Sequence, residues 1–210
     1  MEETKQKPIY YVFCGIGGVL WDLEYAKSMH GPFLDTIQTP VLKPESVKAL
    51  NLLLKSLEKN FDTKLIITST QRKNLDTCVR YLSYYNLDYD KPIFATKFTA
   101  GPRGEKIIDF MEKDNLSPQK PLTLADKLKI KIKKSSKNTN FQNYVVLDNN
   151  RNAISKYIPN DRTIKTTLKN EALTVANVME YLSKNGYEID KEYLDKIAPD
   201  TTFIASQEMQ

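Results

Sequence analysis

The sequence predicts an α/β protein with a central parallel sheet of about five strands and helices on both faces. Apolar strand patterns alternate with amphipathic helical patterns from residue 9 to residue 182, which is typical of such a sheet. The run at residues 9–14 is apolar, aromatic and β-branched throughout, as expected of a strand buried on both faces. With 210 residues, 40% hydrophobic and 27% charged, the chain has the composition of one folded domain.

The first strand, I-Y-Y-V-F-C at residues 9–14, leads into the glycine-rich loop Gly15-Ile16-Gly17-Gly18. Glycine allows a sharp turn and a close approach of the backbone to a ligand. Ligands of open α/β sheets bind at the carboxyl ends of the strands, so this loop is the first candidate for a site. The alternative interpretation is a plain turn after a core strand. Residues 21–40 have weak periodicity and are predicted to be a loop or short flap beside the site.

A helix is predicted from Pro44, because proline is tolerated in the first turn and leucines follow at helical spacing. The second strand, residues 64–68, ends in Thr68 and Ser69 and precedes a helix predicted at residues 71–85. Hydroxyls at a strand end beside a helix start favour an anion pocket. The alternative is that the two hydroxyls only cap the helix.

The second half continues the alternation of strands and helices. Strands are predicted at residues 91–96, 144–148 and 162–166, with helices around residues 100–111, 171–184 and 189–198. Lysines alternate with apolar residues within 122–140, which favours an edge strand with its lysines in water, with polyanion binding as the alternative. The polar tail from residue 199 is predicted to be mobile.

The composition excludes several kinds of site. The single histidine, His30, excludes a metal site built from histidines, and the two cysteines, Cys14 and Cys78, form no zinc spacing or disulfide framework. No signal peptide or membrane span is predicted, so we expect a cytoplasmic protein without a membrane partner, although secretion without a cleaved signal also fits. The net charge of +5 is compatible with a phosphate-rich partner.

The strand and glycine loop resemble the first motif of the haloacid dehalogenase-like (HAD) phosphatases, a buried strand followed by Asp-x-Asp-Gly-Val. Gly15 stands at the position of the nucleophilic Asp and Gly17 at that of the acid/base Asp, while Gly18-Val19-Leu20 continues the motif. The resemblance implies a Rossmann-like three-layer fold with little or no cap, spanning residues 9–186. Residues 1–8 would be a tail, and 187–210 a terminal helix with a mobile tail.

Further segments resemble the later motifs of a HAD subgroup associated with RNA repair. They occur in the expected order and cover nearly all of the chain: G-I-G-G-V-L, T-S-T-Q-R, R-G-E-K-I, L-D-N-N and T-L-K-N-E-A-L-T. The resemblance implies that Thr68, with Ser69 next to it, contacts a phosphoryl group. It also implies that Arg103 or Lys106 supplies the basic residue of the site, and the sequence does not distinguish the two.

The resemblance further implies that Asp148, followed by Asn149, belongs to the magnesium site. Glycine supplies neither a nucleophile nor a proton, and Asp148 alone would hold Mg²⁺ weakly, so no cofactor is expected. The sequence therefore favours a catalytically inactive HAD-like pseudophosphatase that binds a protein partner or a phosphorylated ligand through Gly15, Ile16, Gly17, Thr68, Ser69 and a basic residue.

Two alternatives stay open from the sequence. One is a phosphatase with rewired chemistry, in which Cys14, Asp22 or Asp148 is the nucleophile; the position of Cys14 within a strand argues against it, because alternation turns Cys14 away from the side faced by position 15. The other is a nucleic-acid end-binding module, which the basic balance and the RNA-repair association suggest and which predicts binding that weakens steeply with salt.

Overall fold

A computed structural model of the protein describes residues 7–30, 41–115, 141–150, 154–169 and 171–197. Five parallel strands form one sheet in the order β3-β2-β1-β4-β5. The strands are β1 (Ile9–Cys14), β2 (Asp62–Ile67), β3 (Phe94–Ala95), β4 (Tyr144–Asp148) and β5 (Thr163–Lys165). The predicted α/β class with a five-stranded parallel sheet is therefore confirmed.

The strand β1 lies at the centre of the sheet. It pairs with β2 over its whole length, from Ile9 opposite Asp62 to Cys14 opposite Ile67, and with β4 on its other side. The chain builds β2 and β3 on one side of β1 and then β4 and β5 on the other. The crevice at the carboxyl end of such a reversal is the usual ligand position in this architecture.

Helices cover both faces of the sheet. They are α1 (Leu23–His30), α2 (Pro44–Glu58), α3 (Leu75–Tyr84), α4 (Arg103–Asn115), α5 (Val175–Lys184) and α6 (Lys191–Ile197), with short 3₁₀ turns at Thr70–Asn74 and Asn160–Arg162.

The core has two clusters, one on each face of the sheet. Tyr10, Val12 and Cys14 of β1 join the cluster that includes α2 and α5, whereas Tyr11 and Phe13 join the cluster that includes α4. This alternation is the period of two expected of a strand buried on both faces. The sheet is therefore the middle layer of a three-layer sandwich.

Several boundaries differ from the sequence-based predictions. Residues 23–30 form α1 where a loop was expected, and the third strand is two residues long rather than six. A 3₁₀ turn occupies Thr70–Asn74, so α3 begins at Leu75, where the side chain of Asn74 accepts from Thr77 N.

The helix α5 begins at Val175 rather than at residue 171, because Thr174 and Asn177 form a reciprocal capping box. The predicted lysine-rich strand within 122–140, the mobile tail from residue 199 and most of the N-terminal tail lie outside the described residues. In the part of the chain that the structure describes, no helix has the length and apolar character needed to cross a membrane.

Gly18 and Gly186 have similar backbone conformations but different surroundings, so a comparison of the two distinguishes backbone strain from steric contact. Gly18, in the loop after β1, has φ of 73°, and Gly186, after α5, has φ of 70°. A Cβ on Gly18 would lie 2.6 Å from Cγ of Asn149, whereas a Cβ on Gly186 would have no neighbour within 4 Å.

We expect Gly18→Ala to lower the free energy of unfolding more than Gly186→Ala. Both changes carry the cost of a left-handed alanine, about 1–2 kcal/mol, and only Gly18→Ala adds the clash with Asn149, of about 1–3 kcal/mol. Urea denaturation of the two variants measures the difference. Equal losses would mean that the contact with Asn149 is unimportant.

Candidate functional site

Polar residues from four separate segments meet at the carboxyl edge of the sheet. Hydrogen bonds continue the strand pairing past the strand ends: Gly15 N donates to Leu147 O at 2.9 Å, and Thr68 N donates to Cys14 O at 3.0 Å. Thr96 N donates to Ile67 O at 3.1 Å. The glycine loop and the ends of β2, β3 and β4 are thereby held side by side.

The backbone conformation does not require glycine at positions 15 and 17. Among the glycines of the described chain, positive φ occurs at Gly18, Gly101 and Gly186. A Cβ on Gly17 would meet the ring of Trp21 at 3.6 Å, an ordinary contact. A Cβ on Gly15 would lie 3.3 Å from Val19 Cγ2, which requires a small adjustment.

The loop therefore has room for side chains where the resemblance expects two carboxylates. Trp21 is hydrogen-bonded to the loop, since the Trp21 carbonyl accepts from Gly18 N at 2.8 Å. The indole Nε1 of Trp21 is buried without a partner in the described protein. Ile16 is 2% exposed and packs in the core. The side chain of Ile16 thus belongs to the core, and only the Ile16 backbone remains a candidate to contact a ligand.

Three hydroxyl groups just after β2 and β3 are buried without a hydrogen-bond partner among the described residues. They belong to Thr68 and Ser69 after β2 and to Thr96 after β3, which are at most 6% exposed. The helix-cap alternative is not supported, since Asn74 caps α3 and Ser69 makes no capping bond. An unpaired buried hydroxyl costs about 1–3 kcal/mol, so these three hydroxyls are candidates to hydrogen-bond a ligand at the ends of β2 and β3.

The carboxylate of Asp148 is neutralised by Arg103. Arg103 Nη1 lies 2.5 Å from Asp148 Oδ2, and the Asp148 side chain is fully buried. The other oxygen, Oδ1, accepts from Asn150 N at 2.8 Å. Of the two basic candidates, Arg103 is therefore the one paired with the carboxylate, while the ammonium of Lys106 donates to the carbonyl of Thr99.

Arg72 is a third cation at this edge, and the sequence-based site did not include it. Its guanidinium donates to the carbonyls of Thr68 and Ser69, at 2.6 Å in the case of Ser69. Its Nε is buried without a partner in the described protein. A sequence signal existed in T-S-T-Q-R, but only the 3₁₀ turn, with Arg72 N donating to Ser69 O at 3.2 Å, folds the side chain back over the strand end.

Positive charge exceeds negative charge at the site. Burial lowers the pKa of Arg72, and the neighbouring Arg103 lowers it further. Burial also lowers the pKa of Lys106, with further contributions from Arg72 and Arg103 that outweigh the opposing effect of Glu105. These cations repel one another, so an anion bound among them would relieve the repulsion.

The residues present do not fit a magnesium ion. Both oxygens of Asp148 are already engaged by Arg103 and Asn150, and Gly15 and Gly17 supply no carboxylate. Within the described ranges, no cluster of three or more His, Cys, Asp or Glu side chains is arranged to hold a metal. Magnesium requires several oxygen ligands in octahedral geometry, which the site does not supply.

Cys14 is poorly suited to act as a nucleophile. The side chain is fully buried, and its Sγ donates to the carbonyl of Gly15 at 3.0 Å. Burial raises the pKa of its thiol far above the ordinary value, and the neighbouring Cys78 and Asp148 raise it further. The reactive form of cysteine is the thiolate, so this environment suppresses reaction.

Asp22 has a structural role. It is 1% exposed and accepts from Tyr25 N at 2.8 Å at the start of α1. Its second oxygen lies 3.5 Å from Lys43 Nζ and 3.4 Å from Ala172 N. Asp22 therefore ties the loop after β1 to two other segments, and those contacts occupy its oxygens.

Comparisons of the chain with protein-family models, with curated proteins and with solved structures find no match in any of the three.

We expect Arg103→Met to destabilise the fold strongly, because it leaves the buried Asp148 carboxylate without a counter-charge. Breaking a buried ion pair typically costs about 3–5 kcal/mol. The double change Arg103→Met/Asp148→Asn removes both charges and should recover most of that loss. Chemical denaturation of the two variants measures it; a double variant no more stable than Arg103→Met would contradict the pairing.

The raised thiol pKa values predict a loss of stability at alkaline pH. Burial raises the pKa of Cys78 from 9.0 to about 11, and that of Cys14 higher still. Between the unfolded and folded pKa values the folded state binds more protons, so the free energy of unfolding falls as pH rises above 9. Denaturation from pH 8 to pH 11 measures the slope, which should be shallower in Cys78→Ala.

Proposed function

We propose that this protein binds a phosphorylated ligand at the carboxyl edge of its sheet and does not hydrolyse it. The observation that carries the proposal is the set of buried, unpaired hydroxyls of Thr68, Ser69 and Thr96 beside the cations Arg72 and Lys106. Hydroxyls and cations are the donors that phosphate oxygens accept from. The protein would act as a HAD-like pseudophosphatase.

The proposed resemblance gains support from the grouping of its motifs. Gly15, Thr68, Arg103 and Asp148 come from four separate segments, and strand pairing and the Arg103–Asp148 ion pair link those segments at one edge. The described fold is a Rossmann-like α/β sheet, in which this edge is the usual position of a ligand. This agreement supports a phosphate site inherited from that scaffold.

The absence of hydrolysis follows from the side chains at the site. Gly15 and Gly17 supply neither a nucleophile nor an acid. Cys14 is held as a buried thiol, and Asp148 is paired with Arg103. A phosphoryl group in this pocket would therefore meet donors and positive charge without a group positioned to attack phosphorus, which favours binding over turnover and argues against the rewired phosphatase.

Phosphate binding is expected to depend on Thr68 and not on Thr166. Both have buried, unpaired hydroxyls at the carboxyl edge, but Thr166 follows β5, three strand spacings or about 14 Å from β2. Thr68→Val removes a hydrogen bond to a charged ligand and should weaken binding about 10- to 100-fold. Thr166→Val is the matched control. Titration with inorganic phosphate, followed by NMR chemical shifts, measures both affinities; equal weakening would remove Thr68 from the site.

The same preparations test the lack of turnover. The unaltered protein should not hydrolyse p-nitrophenyl phosphate in the presence of Mg²⁺. Gly15→Asp/Gly17→Asp restores the two carboxylates and should give measurable hydrolysis if the HAD alignment holds. Substantial hydrolysis by the unaltered protein would overturn the pseudophosphatase proposal.

A further inference from the structure

A groove at the outer edge of the sheet shares Lys106 with the proposed phosphate site. It lies between β3 and α4 and has a volume of about 380 Å³, with Phe94 and Phe110 among its apolar lining and Lys97, Lys106 and Lys113 around it. We propose that the phosphorylated ligand is a protein segment that lies extended in this groove with its phosphoryl group in the site. This inference rests on the proposed function.

The edge of β3 offers backbone groups to an extended chain. Among the described strands β3 pairs only with β2, at the other end of the row from β5. Thr96 N donates inward to Ile67 O, so the alternation of a parallel ladder places the N–H and C=O of Ala95 on the outer side. A peptide that adds to this edge would pair with those groups, a common mode of peptide recognition.

The charges around the groove favour an acidic segment. Of its two acidic residues, Asp114 is held by Lys64 at 2.6 Å and by the hydroxyl of Tyr11 at 2.8 Å, and Asp109 also interacts with a neighbour in the protein. Lys97 and Lys113 are exposed and form no ion pair among the described residues. The groove therefore presents an excess of positive charge.

The groove and the proposed phosphate site share Lys106. Lys106 follows Arg103 by three residues on α4, so the two side chains lie on the same side of the helix, and Lys106 also lines the groove. Lys113 lies seven residues further along α4, about 10.5 Å at the helical rise. Three residues of an extended chain span about 10 Å. The spacing fits a phosphorylated residue with an acidic residue about three positions away.

The aromatic rings near the groove favour a peptide over nucleic acid. Phe110 packs edge-to-face against both Phe13 and Phe94, so these rings are engaged with their neighbours. The exposed Phe98 is contacted by Arg72 at 4.9 Å and by Lys73 at 4.5 Å from its centroid. Base recognition relies on free aromatic faces, whereas a sheet edge suits a peptide backbone.

The experiment compares labelled nine-residue peptides by fluorescence anisotropy. The probe carries a central phosphoserine with glutamate three positions away on both sides. Two comparison peptides are used, one with lysine in place of both glutamates and one with alternate backbone amides N-methylated. Free phosphoserine is the third comparison ligand and is measured as a competitor. We expect the probe to bind at least about tenfold more tightly than phosphoserine, and the lysine and N-methylated peptides to lose that gain.

Lys113→Glu should weaken binding of the probe about five- to tenfold, since it replaces attraction by repulsion at an exposed position. Binding of phosphoserine should not change in that variant. Lys48→Glu, an equally exposed lysine on α2, is the matched control and should leave both affinities unaltered.

The outcomes separate the two proposals. If phosphoserine binds in a Thr68-dependent way but the peptide gains nothing, the groove inference is overturned and the proposed function stands. Tighter binding of a 5′-phosphorylated oligonucleotide of matched charge would also overturn the peptide assignment. If neither inorganic phosphate nor phosphoserine binds, the proposed function fails, and the inference fails with it.

Discussion

The pairing of β1 on both sides fixes the geometry of the candidate site. Because β2 and β4 run parallel to β1 and are in register with it, their carboxyl ends stop at the same level. The bonds from Gly15 N to Leu147 O and from Thr68 N to Cys14 O then hold the loop and the hydroxyl-bearing strand end one spacing apart. Polar groups that are distant in sequence share one pocket for this reason.

The charge balance of that pocket differs from that of a metal-dependent phosphate site. A metal site concentrates carboxylates around the ion. Here the buried carboxylate of Asp148 is satisfied by Arg103, and Arg72 and Lys106 remain as additional cations. Gly15 and Gly17 bring no carboxylate to this pocket, so its balance of charge favours an anion without requiring a metal.

The sequence predicted the elements whose signal is local and continuous. Residues 9–14 and the strand at Tyr144–Asp148 are apolar runs, and the helix that begins at Pro44 has apolar residues at helical spacing; the structure has all three. The predicted length of the third strand was wrong. Only Phe94 and Ala95 pair with β2, opposite Ile66 and Ile67, and no pattern within residues 91–96 indicates where that pairing stops.

Fewer residues of the candidate site than elements of the fold could be expected from the sequence. Thr68, Arg103 and Asp148 came from the motif resemblance, but Thr96 and Arg72 acquire their positions only through neighbouring strands and a 3₁₀ turn. The helix predicted at residues 71–85 would have pointed Arg72 along a different direction. Contacts between distant segments determine where such side chains lie, and a local sequence pattern does not contain that information.

Trp21 gives the site an optical property. It is the only tryptophan of the chain, its ring lies beside Gly17, and its indole N–H has no partner in the described protein. Indole emission depends on the polarity and hydrogen bonding around the ring, so the tryptophan component of the protein's fluorescence reports on the surroundings of the glycine loop. A change in the packing or hydration of that loop is thus visible as a spectral shift, without interference from a second fluorophore of the same kind.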